Sequence, residues 1–168
     1  IATGSVVYVT DKGYDGSAFR DSEGVLAFTV SAEIPAGSTW FYEDGGSMTN
    51  SFGVWSASEG SFSLSVSGDQ LFVFIHSVAD PQFIFGVSNS WELDGRSLTA
   101  STTTLPTSLN TSGAYLTLGN VDNGRYGGAT AGSVSDLLSN ISNIARWDTS
   151  SSSTYSMVFD DFIVQGIP

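Results

Sequence analysis

The stretch SFSLSVSGDQLFVFIH, residues 61–76, decides the fold class. In its first half Phe62, Leu64 and Val66 alternate with serines, the period-two pattern of a strand buried on one face. Gly68-Asp69 then supplies the residues of a two-residue primed turn, so the spacing predicts a β-hairpin. Its second arm, Leu71 to Ile75, is apolar throughout, which places it centrally in a sheet with both faces covered. Further runs of β-branched and aromatic residues lie at 5–10, 25–30, 39–43, 82–87, 114–118 and 155–164, most of them bounded by Gly, Pro, Asn, Asp or Ser. The expectation is an all-β fold, a two-sheet antiparallel sandwich with one short covering helix.

That helix is read from GSVSDLLSNISNIARW, residues 132–147. Ser133 can cap it with Asp136 three residues on, and Val134, Leu137, Leu138 and Ile141 fall at i, i+3, i+4 and i+7. Residues 97–113, a Ser/Thr run with Pro106, and residues 148–154 read as loops.

With 168 residues the chain suits a single domain, 1–168, with a sizeable core. Charged residues make up only 13% and there are 19 Gly, so much of the polar surface comes from Ser, Thr and Asn. Five Lys and Arg stand against seventeen Asp and Glu, a net charge of −12 that repels phosphate backbones and anionic membrane surfaces. The same excess suits divalent cations. There is no Cys, which excludes disulfides and thiolate metal sites. No apolar run reaches the roughly 20 residues that span a bilayer, so no membrane insertion is expected. The first residue is Ile1 rather than Met, and the chain reads as a processed or trimmed product. Asn110-Thr111-Ser112 and Asn140-Ile141-Ser142 are glycan acceptors if a secretory pathway makes the protein.

The acids concentrate in TDKGYDGSAFRDSEG, residues 10–24. Counted from Asp11 the stretch is a near miss of a calcium-binding helix-loop-helix: Asp15 and Gly16 fall in register, Gly13 and Ser22 stand where acids belong, and Glu23 comes one residue late. Its flanks are strands, which rules out the helical version. The acids either hold a cation or cap turns. Asp11, Asp15, Asp21 and Glu23, with Asp122 and Asn123 of the GNVDNG turn, are the candidate ligands for Ca2+.

Catalytic chemistry is poorly supplied. His76 is the one histidine, it ends an apolar strand, and no Ser sits in a G-x-S-x-G elbow. Glu92-Leu93-Asp94 resembles two thirds of the E-x-D-x-x-E motif of sandwich glycosidases, but the third acid is replaced by Ser97. No enzyme is expected. Aromatic residues offer a second binding chemistry: Trp55, Trp91 and Tyr126 are the candidates for a glycan-stacking surface, while Trp40 reads as core.

Taken together, T-D-K-G-Y-D-G-S-A-F-R-D-S-E-G after a strand, then G-D-Q-L-F, then L-P-T-S-L…L-G-N-V-D-N-G-R-Y-G-G followed by a helix ending near Trp147, resemble a β-rich domain of secreted and surface proteins in aquatic bacteria and some algae. The shared order and spacing cover most of residues 7–147. The resemblance implies an extracytoplasmic module without assigned catalysis, whose recurrent polar positions fall on Asp11, Glu23, Asp69, Asp122 and Asn123. It also implies a strand and an I-P-A-G turn ahead of the T-D segment; here Ile34-Pro35-Ala36-Gly37 follows it. A sheet short of its first strand leaves an edge that STYSMVFDDFIVQGIP could fill, in the same chain or in a neighbour. Phe159, Phe162 and Val164 are the candidate self-association residues. The functional expectation is a secreted, non-enzymatic structural or adhesive β domain, calcium-assisted and self-assembling into an extracellular fibre or layer, its partner a second copy or another extracellular protein. The alternative is a carbohydrate-binding module.

Overall fold

In chain order the strands are β1 (Val6–Thr10), β2 (Val25–Val30), β3 (Thr49–Asn50), β4 (Gly53–Glu59), β5 (Gln70–His76), β6 (Pro81–Ser88), β7 (Trp91–Glu92), β8 (Thr103–Thr104), β9 (Tyr115–Thr117), β10 (Asn123–Tyr126), β11 (Ala131–Ser133), β12 (Trp147–Ser150) and β13 (Ile163–Gln165). Helix α1 spans Thr107–Ser112 and α2 spans Val134–Ile141. The computed structural model describes residues 1–20, 23–43, 49–65, 69–92, 102–156 and 161–166. No helix among them is long and apolar enough to cross a membrane.

The chain is mostly β, as expected, but its sheets differ from the expected pair. One seven-stranded sheet runs β3-β4-β2-β1-β5-β6-β9, and three two-stranded ladders join β10 to β12, β11 to β13 and β7 to β8. The large sheet is mixed, not antiparallel: β9 lies parallel to β6, with Val87 opposite Leu116. The described ladders contain no second large sheet to complete a sandwich.

Both faces of the large sheet nevertheless carry a buried apolar cluster, because loops and helices pack on them. Along β5, Phe72 and Phe74 are fully buried in one cluster with Val25, Leu109 and Ala114, while Val73 and Ile75 pack against the other, built on Val7, Leu26, Phe28, Val30 and Trp55. Successive strand side chains point to opposite faces, so an uninterrupted apolar run needs two covers. Trp40, Tyr42 and Phe62 supply one; Tyr14, Phe19, Leu105 and Leu138 supply the other. The central position expected for residues 71–75 is observed.

The hairpin expected from residues 61–76 forms only in its second half. Residues 61–65 pair with none of the described strands: the N–H of Ser63 donates to the Asp11 carboxylate at 2.7 Å and that of Ser65 to Asp69 at 3.0 Å. Carboxylates have taken the place of a neighbouring strand as acceptors. Phe62 still points to the core, and Leu64 is 54% exposed. The turn residue Gly68 lies outside the described residues.

The helix expected from the 132–147 pattern is present as α2. The Ser133 side chain caps it, accepting from the N–H of Asp136 at 3.2 Å. Leu137 is buried, as the periodicity requires, but Val134 is 61% exposed. A second helix, α1, stands where a loop was expected. Its sequence TSLNTS has poor helix propensity, so its buried Leu109 and the left-handed Gly113 that ends it, at φ 70°, hold it in place.

The C-terminal strand stays within its own chain. β13 pairs in parallel with β11, and the N–H of Phe162 donates to the carbonyl of Gly37 at 2.7 Å. It does not extend the large sheet. Phe159 lies outside the described residues.

Candidate functional site

The acid-rich loop leaves β1 and returns as β2, and its two ends are laced together by their own side chains. Thr10 Oγ1 donates to the Gly24 carbonyl at 2.6 Å and accepts from the Lys12 N–H at 3.1 Å. Asp11 is 1% exposed. Its Oδ1 accepts from the N–H of Gly24 at 2.9 Å and its Oδ2 from that of Ser63 at 2.7 Å. One carboxylate therefore satisfies two backbone donors that lie 39 positions apart in sequence. Gly24 has to be glycine here, since a Cβ would run into the backbone of Ser61 and Phe62.

The G-D-Q motif joins the same cluster. Gln70, buried at 1% exposure, donates through Nε2 to the Asp11 carbonyl and, at 2.8 Å, to Asp69 Oδ1. Asp69 also accepts from the backbone N–H groups of Gln70 at 2.9 Å and Ser65 at 3.0 Å. Glu23 accepts from the Gly13 N–H at 3.1 Å and lies 3.7 Å from the Arg20 guanidinium. Outside this knot, Lys12 pairs with Glu59 on β4 at 2.7 Å. Tyr14 and Phe19 pin the middle of the loop to Phe72 and Phe83, while the N–H of Tyr14 donates to Thr103 Oγ1 at 2.8 Å. Thr-Asp, Glu-Gly and Asp-Gln, separate in sequence, are one hydrogen-bonded clasp in space.

The candidate metal ligands do not meet at one point. Asp15 is exposed and turns its Oδ1 onto Ser17 and Ala18, each bond 2.8 Å, as a turn-capping Asp does. Asn123 opens β10 and donates to the Ser150 carbonyl at 3.2 Å, and Asp122 beside it is exposed. Asp21 lies outside the described residues. Among the described residues, no group of three or more His, Asp or Glu could hold a metal ion.

Burial pushes the carboxyls of Glu23 and Asp69 above their ordinary values, outweighing the N–H groups of Gly13 and Ser65 that act the other way. Asp15 moves down, held ionised first by the Ala18 N–H and then by Ser17. A group whose pKa is higher folded than unfolded binds its proton more tightly in the native state, so its contribution is full below the unfolded pKa and lost as pH rises through the folded one. Stability is therefore expected to rise as pH falls from 7 toward the ordinary carboxyl values, 4.5 for Glu and 3.8 for Asp. It declines at lower pH, where Asp15 takes up its proton. Urea midpoints measured across this range check the trend, and Glu23→Gln should flatten the rise.

The three candidate stacking aromatics are also dispersed. Trp55 is 5% exposed, its ring against Phe28 at 4.8 Å and its Nε1 donating to the Phe41 carbonyl at 2.7 Å, so it is core and not surface. Trp91 packs edge-on against Tyr115 and donates to Thr117 Oγ1 at 3.0 Å. Tyr126 stands between Trp147 and Phe162, its hydroxyl donating to the Ala129 carbonyl at 2.8 Å. The signal missed for Trp55 was the alternation G-V-W-S-A-S of β4, whose inward face carries Trp55 among small residues.

Trp147, which the sequence offers as one of several aromatics able to stack, and Asp69, a motif position, both line a cavity of about 240 Å³ beside the clasp. Its wall joins β5, β6 and β9 of the large sheet to the β10 end of the neighbouring ladder, through Leu71, Val87, Leu116, Leu118 and Gly124. Asp122 stands on the same wall. The L-G-x-V-D-N motif thus meets the G-D-Q motif here. No family model, curated protein or solved structure matches the chain.

Proposed function

We propose that this chain is a non-enzymatic structural or adhesive β domain of an extracellular protein, and that it associates with copies of itself by exchanging its C-terminal strand. The observation that carries this reading is the seat of β13. Among the described residues it pairs only with three-residue β11, and a two-stranded ladder is marginal by itself. Ile163 is 66% exposed, while Phe162 and Val164 face a shallow apolar cavity shared with Leu137, Ile141 and Trp40. A strand held by so few bonds can dock identically on a neighbour, and exchange of an identical element is a low-cost route to oligomers. The acid-rich loop supports the same reading as a stabilising clasp, since its described carboxylates are bonded to backbone N–H groups. Calcium, expected from the density of acids, is not required by that clasp.

Gly37→Ala tests the seat. Gly37 has φ 91°, and a Cβ there would strike the carbonyl of Phe162. The substitution should cost about 2 kcal/mol or more through positive-φ strain and collision, and it should release the C-terminal strand. Light scattering and limited proteolysis read the outcome: faster cleavage after residue 160 with altered self-association supports the proposal. A wild-type chain that stays monomeric at every concentration and salt level overturns it. Because each copy carries a charge of −12, association should strengthen with added salt.

A further inference from the structure

We infer that the cavity between the large sheet and the β10–β12 ladder is a binding site for a small organic cation with an apolar body. The cavity borders the clasp, sharing Asp69 and Gln70 with it, and is separate from the C-terminal seat. Its volume, about 240 Å³, exceeds the roughly 150 Å³ in which an apolar protein cavity accepts benzene. Hydrocarbon from Leu71, Val87, Leu116 and Trp147 makes most of its wall, which favours a dehydrated apolar group.

The charged part of the described lining has one sign: Asp69 and Asp122 line the cavity beside the neutral Ser65, Gln70 and Asn89, and no Lys, Arg or His among the described residues does. Asp69 already accepts three hydrogen bonds within the clasp, which fixes its position, whereas Asp122 is exposed at the rim. A neutral sugar would need several donors and acceptors spread around it. Beside Gln70, whose amide nitrogen is committed to Asp11 and Asp69, the described lining offers only Ser65 and Asn89 as neutral polar side chains, too few to ring a sugar. An ammonium group on an apolar stem uses what is there: its charge lies against the carboxylates and its stem against Leu and Trp. The net charge of −12 draws cations to the surface and rejects carboxylates and phosphates.

Three probes of one shape separate charge from apolar contact: 2-phenylethylammonium, 2-phenylethanol and phenylacetate. Trp147 reports occupancy, because its indole N–H, donating to the Ile141 carbonyl at 2.9 Å, has its own signal in a proton–nitrogen NMR spectrum. The ammonium probe is expected to shift that signal saturably, with an affinity about two- to fivefold above the alcohol, the size of one partly exposed charge pair. Phenylacetate should bind least. Asp122→Asn, an exposed change, should bring the ammonium affinity closer to that of the alcohol, with Asp69 still in place, and leave the alcohol unchanged. Equal affinity of ammonium and alcohol in the wild type, or no saturable shift of Trp147, overturns the inference.

Discussion

Asp11→Ala is expected to lower the unfolding free energy by about 3 kcal/mol. The carboxylate is buried and accepts from the N–H groups of Gly24 and Ser63. Removing it leaves the buried Gly24 N–H and the partly buried Ser63 N–H without their acceptor, the first worth roughly 1–3 kcal/mol and the second less. For a chain of this length that corresponds to a fall in Tm of about 10 °C. Asp15→Ala is the control: its bonds to Ser17 and Ala18 are exposed, water replaces them, and the cost should stay under about 1 kcal/mol. Urea unfolding of the two variants side by side measures the difference. Equal losses would mean that Asp11 does not tie residues 61–65 to the loop.

Phe72→Ala should cost about 3–5 kcal/mol, the range for removing a fully buried aromatic side chain from a core. Phe72 is 0% exposed at the middle of β5, and rings of Tyr14, Phe19, Phe83 and Trp91 surround it at 5.3–6.4 Å between centroids. Two of those rings belong to the acid-rich loop. The variant should therefore loosen the loop as well as the core, and amide exchange at residues 13–20 should accelerate with the global loss. Leu64→Ala is the contrasting change on the neighbouring segment: Leu64 is 54% exposed, and the effect should stay within about 0.5 kcal/mol.

The parts of this fold legible from sequence were those in which one local signal suffices. The apolar run 71–75 required a central strand with two covers, and Ser133 with its i, i+3, i+4, i+7 pattern required a capped helix; both are present as β5 and α2. What failed were inferences about partners. Of the Phe62, Leu64, Val66 alternation, Phe62 packs inward and Val66 lies outside the described residues; periodicity does not reveal that the N–H groups of Ser63 and Ser65 meet Asp11 and Asp69. Helix α1 was hidden because TSLNTS owes its shape to Leu109 and Gly113 and not to propensity.

The candidate site divides the same way. Acid density drew attention to the 10–24 loop, and that loop is structurally central. Density of acids cannot distinguish carboxylates that converge on a cation from carboxylates that each accept backbone N–H groups. Distinguishing them takes the positions of Gly24 and Ser63, 13 and 52 residues from Asp11 in sequence. Trp55 misled for a related reason: Gly and Ser around an aromatic suggest a surface, yet in β4 they give Trp55 a clear path into the core.

The central claim is that the described carboxylates of the acid-rich loop, Asp11, Asp15 and Glu23, serve as acceptors for backbone N–H groups. A thermal melt in excess calcium and in excess chelator tests it most directly. A calcium site occupied at 100 times its dissociation constant adds about 2.7 kcal/mol, a rise in Tm of roughly 5–10 °C for a chain of this size. The clasp predicts coincident melts in the two conditions. A calcium-dependent rise of that size, abolished in Asp11→Ala or Asp15→Ala, would contradict it.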